Sequence, residues 1–244
     1  LNNKAILYKP DLSYRLAQSG GWRSPNTTLN GENHPNGVII NYYLKNYNDK
    51  DYVKIEILNK DKTLIRSYTN NKEKLIEETN KPVLSNTNDI DYALSSDNIR
   101  SIKPVSGGNR LIWDMRYPGF ISFDGMILYS SPNTGPKVTP GKYDVKLTYN
   151  DVEITKEFEI IKDPRVSNSP DDYSNQLDFL LKVRNEVSKA NQTIIDIRKI
   201  KKDLNYLTLK AENNDQLIQI IKDFKNDLFE IENNIHMTKN QSRQ

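Results

Sequence analysis

Side chains able to do acid–base or nucleophilic chemistry are few and scattered in this chain. There are two histidines, His34 and His236. His34 precedes Pro35 in a Gly/Asn-rich stretch, and His236 falls near the end of a helical pattern. Lying so far apart, they offer neither metal-ligand spacing nor a triad, and they read as surface or helix-end residues. Cysteine is absent, which removes disulfides, thiolate metal sites and cysteine nucleophiles together. Glycosidases need two carboxylates across a cleft, and Asp114, Asp124 and Asp163 stand beside aromatic or turn residues. Asp114 and Arg116 fall two apart on one strand face and read as an exposed ion pair, whereas Asp163 before Pro164 reads as a turn residue. Gly20-Gly21 and Gly107-Gly108 lack the lysine and helix that complete a phosphate loop. No catalytic residue, metal or organic cofactor is therefore expected; a calcium ion in an Asp/Asn-rich loop is the one exception left open.

Aromatic side chains are the better binding signal. Trp22, Tyr42, Tyr43, Tyr47, Tyr117 and Tyr129 could stack on sugar rings. Tyr and Trp are also favoured strand residues, and Trp113 reads as core between Leu111 and Met115. The expected ligand contacts are Trp22, which stands in a Gly/Asn loop, with Tyr43 and Tyr117.

The elements that must carry these residues follow from periodicity. Val38, Ile40, Tyr42 and Leu44 alternate, as do Val53, Ile55 and Ile57. The turn Asn59-Lys60-Asp61-Lys62 leads into Leu64 to Tyr68. Leu111, Trp113 and Met115, then Met126 and Leu128, continue the alternation. Pro140-Gly141 opens a hairpin from Tyr143 to Tyr149, which Asn150-Asp151 reverses into Val152 to Ile160. About seven short hairpin-linked strands are the content of an immunoglobulin- or fibronectin-like sandwich. Residues 1–165 are therefore expected to form an all-β sandwich, with long loops at 18–37 and 70–108 and a short helix near Lys72 to Thr79.

From Asp163-Pro164-Arg165 the period changes from 2 to 3.6. Ser169 reads as an N-cap, Pro170 as the first helical residue, and Asp171 and Asp172 as first-turn acids. Leu180, Val183, Val187, Ala190, Ile194 and Ile197 recur at intervals of three and four. Leu217, Ile221, Phe224, Leu228, Ile231 and Ile235 form a second stripe after a turn at Ala211 to Asn214, where Asn213 with Gln216 reads as a capping box. Residues 166–244 are expected to be an antiparallel helical hairpin (171–209 and 215–240) whose narrow stripes face each other. The first helix is longer, so Leu177, Leu180, Leu181 and Val187 are expected to need another cover and to form an interaction stripe.

Composition narrows the partners. The chain has 244 residues, 36% hydrophobic, with a net charge of only +3. That charge carries no footprint of nucleic-acid binding, and no run of 18 apolar residues spans a membrane. Leu1 opens a polar stretch without a signal-peptide pattern and without an initiator Met, so the start reads as processed or excised. Abundant Asn, Lys and Ile suggest an AT-rich genome.

Three segments together resemble a known family: His34-Pro35-Asn36-Gly37-Val38 to Leu44, Asn109-Arg110-Leu111-Ile112-Trp113-Asp114-Met115-Arg116-Tyr117-Pro118-Gly119, and Gly135-Pro136-Lys137-Val138-Thr139-Pro140-Gly141-Lys142-Tyr143. They are similar to the C-terminal region of large exported Bacteroidetes proteins that carry sortilin-like, BNR-repeat β-propellers and are loosely labelled glycosyl hydrolases. Lys162-Asp163-Pro164-Arg165 and Thr238 to Ser242 extend the likeness. The resemblance implies an exported setting (periplasm, cell surface or secreted) and a propeller upstream of Leu1. The Ser-x-Asp-x-Gly-x-x-Trp box of such propellers is not found here.

The expected role is a non-catalytic structural or interaction module. Its partner would be an upstream domain of the same protein or another protein. The alternative is a carbohydrate-binding appendage of an exported hydrolase; a hydrolase with its site in this chain comes third.

Overall fold

The computed structural model describes residues 4–16, 35–79, 100–126, 133–211 and 214–236. The described residues belong to two compact units. One comprises the parts up to Gly119 together with Thr134–Leu181, and the other Phe120–Asn133 with Lys182 onwards.

The first unit holds nine strands and a short helix: β1 (Ala5–Leu7), β2 (Ser13–Arg15), β3 (Val38–Leu44), β4 (Val53–Leu58), β5 (Leu64–Thr69), α1 (Lys72–Thr79), β6 (Arg100–Ser101), β7 (Gly107–Trp113), β8 (Gly141–Tyr149) and β9 (Val152–Lys162). A six-stranded sheet runs β2-β9-β8-β4-β5-β6, and a three-stranded sheet runs β1-β3-β7. β8 and β9 form the longest hairpin, with Tyr149 opposite Val152. Its turn is tight because Asn150 takes φ 49, a left-handed conformation that asparagine tolerates well. Period 2 sends Val38, Ile40, Tyr42 and Leu44 inward from β3 and Val53, Ile55 and Ile57 inward from β4, all of them buried. Trp113 is fully buried among them, with Tyr143 and Phe158 edge-on to its ring at 6.0 and 6.2 Å. Its indole N–H donates to the Arg116 carbonyl, so the largest core side chain leaves no unmet donor. Met115 is buried and Leu111 packs partly buried against the same core.

The all-β immunoglobulin- or fibronectin-type sandwich is overturned. The six-stranded sheet is mixed and curls into a half-barrel, and only a small three-stranded sheet accompanies it. β2 pairs parallel to β9 and β6 parallel to β5, which a sandwich of hairpins does not contain. The nine- and eleven-residue strands β8 and β9 dominate the larger sheet, and strand twist accumulates along such a pair. Met115 takes φ 59, so the Leu111–Met115 alternation ends as a strand at Trp113. Met126 lies in a turn on Phe123 rather than in a strand; Leu128 lies outside the described residues.

The long helix α2 (Pro170–Lys210) starts in the first unit and continues in the second. Its start is a reciprocal cap: the Ser169 N–H and hydroxyl donate to the Asp172 carboxylate, and the Asp172 N–H donates to the Ser169 hydroxyl. In the second unit α2 meets α3 (Asp215–Ile235). Arg198 and Lys201 contact Glu232, and Asn205 accepts from Lys225. As numbers rise on one helix they fall on the other, so the pair is antiparallel. The N-cap of α3 is Asn214, whose side chain accepts the Leu217 N–H. Asn213 lies outside the described residues.

A non-helical segment also docks on α2 within this unit. The Ile121 N–H donates to the Ser188 hydroxyl, Asn191 donates to the Ile121 carbonyl at 2.6 Å, and Arg198 donates to the Asp124 carbonyl. Ser188, Asn191, Ile194 and Ile197 are buried, a ridge at three-residue spacing. The two polar members meet backbone groups that would otherwise be buried without partners.

Candidate functional site

The most developed concavity of the first unit is a cleft of about 500 Å³, within the range of small-ligand sites. The β4–β5 turn (Asn59, Lys60, Asp61) lines it, with the approach to β8 (Thr139 to Tyr143), Tyr117, Lys162, and the first turns of α2 through Tyr173, Leu177 and Leu181. A zipper of two chain segments holds Tyr117 there. The Tyr117 N–H donates to the Pro136 carbonyl, and the Arg116 guanidinium donates to the Gly135 carbonyl. Position 135 admits only glycine, because a Cβ there would stand 2.1 Å from the Tyr117 carbonyl oxygen and 2.2 Å from that of Pro118.

Arg15 ties the α2 side of the cleft to the sheet. Its Nε donates to the Val138 carbonyl at 2.8 Å, its Nη2 donates to Gln176, and its guanidinium lies 4.6 Å over the Tyr173 ring. Burial lowers the pKa of Arg15, partly offset by the Tyr173 ring and hydroxyl. Burial raises the Tyr143 phenol, whose hydroxyl donates to the Thr139 carbonyl at 2.6 Å. Both tyrosines are thus fixed, neutral walls. Lys142 is raised by its bond to Glu157 and stays a cation on the surface. The resulting site has an apolar wall of Leu177, Leu181 and tyrosine rings, with lysines and aspartates beside it. Such a surface can desolvate an apolar or ring-shaped group and hydrogen-bond its polar edge.

Three residues singled out in the sequence, Tyr117, Leu177 and Leu181, come together on this cleft. Leu180 is 40% exposed and does not line it. Val187 is half-buried in the second unit. Tyr43 faces outward on β3 opposite Gly108, away from the cleft. Trp22, Tyr129 and His34 lie outside the described residues. His236 caps α3 and stands edge-on to Phe123 at 4.9 Å. Asp163 is buried and gripped by the Nε and Nη2 of Arg165 at 2.8 and 2.7 Å, a structural lock. Asp114 accepts the Arg116 backbone N–H, not the expected side-chain pairing, while that guanidinium reaches Gly135. Among the described residues no three His, Cys, Asp or Glu side chains converge as metal ligands, and no helix is long and apolar enough to cross a membrane. Arg15, Tyr143 and Tyr173 escaped sequence reasoning. Tyr143 carried a signal, the Pro-Gly-Lys-Tyr turn, but Arg15 sits on a three-residue strand too short to show alternation.

The second unit offers a surface of a different kind. Ile221 and Leu228 of α3 are buried, while Leu217, Phe224 and Ile231 of the same stripe stay 41%, 46% and 47% exposed. The α3 stripe is therefore only half covered by α2, although the narrow stripes were expected to bury one another.

Comparison with known proteins identifies no relative: no family model, no curated protein and no solved structure matches the chain, and the resemblance to exported propeller proteins gains no support from them.

Proposed function

We propose that the chain is a non-catalytic interaction module that takes a segment of its partner into the cleft beside the start of α2. The observation that carries this reading is the convergence of Tyr117, Tyr143, Tyr173, Leu177 and Leu181 from four separate stretches of sequence on one concavity. Large apolar side chains left at a concave surface favour association. The partner is an upstream domain of the same protein or another protein, in the exported setting that the sequence resemblance implies.

A second reading, carbohydrate binding, is favoured by one specific feature. Tyrosine rings in the cleft stand among Asn59, Lys60, Asp61 and Asp178, the mixture that recognises the faces and hydroxyls of a sugar. Backbone amide shifts of labelled protein, titrated in turn with neutral oligosaccharides, acidic oligosaccharides and extended apolar peptides, test both. Peptide-induced shifts confined to residues 59–61, 139–143 and 173–181, and lost in Leu177→Glu, support the first reading. Saccharide-induced shifts there replace it with the second. Turnover of glycoside or peptide substrates by the chain alone would overturn both.

A further inference from the structure

We infer that the second unit pairs with a second copy of itself, its α2–α3 hairpin forming half of a four-helix bundle. The observation is an apolar face shared by both helices. Ile200 and Leu207 on α2 are 39% and 50% exposed, and Phe224 and Ile231 on α3 are comparably open. The cross-helix contacts fix the levels: Arg198 and Lys201 meet Glu232, and Asn205 meets Lys225. Ile200 is therefore level with Ile231, and Leu207 with Phe224.

Helical periodicity decides which side these residues take. On α2, Ile194, Ile197 and Lys201 mark the direction of α3. Ile200 and Leu207 lie roughly a quarter turn from it at 100° per residue. On α3, Ile221, Leu228 and Glu232 mark the direction of α2. Phe224 and Ile231 lie roughly a quarter turn away in the same rotational sense. The helices are antiparallel, so equal rotations in their own frames bring both pairs to one side of the hairpin. That side presents two rungs, Ile200 with Ile231 and Leu207 with Phe224.

A second copy fits this face because the rungs repeat under a twofold axis parallel to the helices. Ile231 then sits on Ile200 of the other copy and Phe224 on Leu207, giving two closed layers of four apolar side chains. Charge selects this axis over a perpendicular one. Between Arg198 and Lys210, α2 has five basic side chains (Arg198, Lys199, Lys201, Lys202, Lys210) against Asp203. Along Asp215–Ile235, α3 has five acids (Asp215, Asp223, Asp227, Glu230, Glu232) against Lys222 and Lys225. The parallel axis sets every basic helix beside acidic ones. The perpendicular axis stacks α3 on α3 and α2 on α2, like charge on like.

Sedimentation equilibrium of the full chain, from micromolar to millimolar and at low and high salt, tests this. The expected result is a monomer–dimer equilibrium that weakens with salt. Phe224→Glu and, separately, Ile200→Lys should each raise the dimer Kd by about two orders of magnitude, as removal of a central interface anchor does. Leu209→Glu, on an exposed apolar residue off the face, should leave Kd unchanged. Circular dichroism identifies any variant that has lost its helices, and the other face variant then decides. With no native cysteine, a single spin label at Lys189→Cys reports the axis. The parallel axis keeps the two labels within about 30 Å, and the perpendicular axis sends them beyond about 40 Å at 1.5 Å rise per residue. A strict monomer at millimolar concentration would leave the face to a different protein and overturn the inference. So would a dimer indifferent to both face variants, or label distances of the perpendicular kind.

Discussion

Removing the Glu232 carboxylate should loosen the end of α3 by a measurable amount. Its side chain is 7% exposed and accepts from Arg198 and Lys201, both at 2.8 Å. Charge-assisted hydrogen bonds contribute about 1.5–3 kcal/mol each when well shielded. Here the Arg198 and Lys201 side chains are 37% and 20% exposed, so solvent screening pushes both to the low end. Glu232→Ala, which leaves two cations facing a small void, should cost about 2–3 kcal/mol. Glu232→Gln keeps the shape and acceptor but not the charge, and should cost about half as much. The pKa of Glu232 is set by burial, which raises it, against the bonds to Lys201 and Arg198, which outweigh burial and hold it below the usual glutamate value. A depressed carboxylate contributes stability above its unfolded pKa, and that contribution disappears as pH falls through the lower, folded value. The wild-type advantage over Glu232→Gln should thus be full at neutral pH and vanish in acid. Hydrogen exchange of the α3 amides is the assay, because it reports local opening. Glu232→Ala should speed exchange near Leu228 to Ile235 about 30- to 150-fold at neutral pH. Unchanged exchange, or an equal effect of Glu232→Gln at neutral and acid pH, would refute the reasoning.

Four further outcomes are expected. Trp113→Ala should destabilise the first unit by about 3–5 kcal/mol, read by chemical denaturation; a fully stable variant would contradict its central place beside Tyr143 and Phe158. Asn191→Ala should cost about 1–3 kcal/mol by leaving the Ile121 carbonyl unmet, with exchange loosening confined to residues 120–126 and the facing turns of α2. Gly135→Ala should unseat Tyr117, because no side chain can give way when both clashing atoms are backbone oxygens; a crystal structure with an unmoved 116–119 segment would refute this. Ser169→Ala should cost about 1 kcal/mol of helix start. The Asp172 pKa, lowered by the backbone N–H and then the hydroxyl of Ser169, should rise in that variant when followed by carboxylate NMR.

Local elements were legible wherever one period ran long enough. The Val38–Leu44 alternation became β3, the turn at Asn59–Lys62 joined β4 to β5, Lys72–Thr79 became α1, and Ser169-Pro170 opened α2. Each rests on contacts within a few residues, so the chain specifies it locally. Burial of Trp113 was legible for the same reason. The ligand cleft was half legible: Tyr117, Leu177 and Leu181 drew attention as large apolar side chains in exposed settings.

Pairing and closure were decided by the tertiary structure. Alternation says which face of a strand is apolar, but not whether its neighbour runs parallel. The parallel pairs β2–β9 and β5–β6, which replace a sandwich by a curled mixed sheet, left no mark in period 2. The short strands β1, β2 and β6 have no periodicity to read. A helical stripe likewise announces that something covers it without naming what. Ser188 and Asn191 look like polar interruptions until the 120–126 backbone docks on them, and Leu217, Phe224 and Ile231 look like the partners of α2 until the helix turns them outward. Periodicity is a one-dimensional property of the chain, whereas partners are chosen by which distant groups can satisfy buried hydrogen bonds and shed water together, and that choice exists only once the chain has folded.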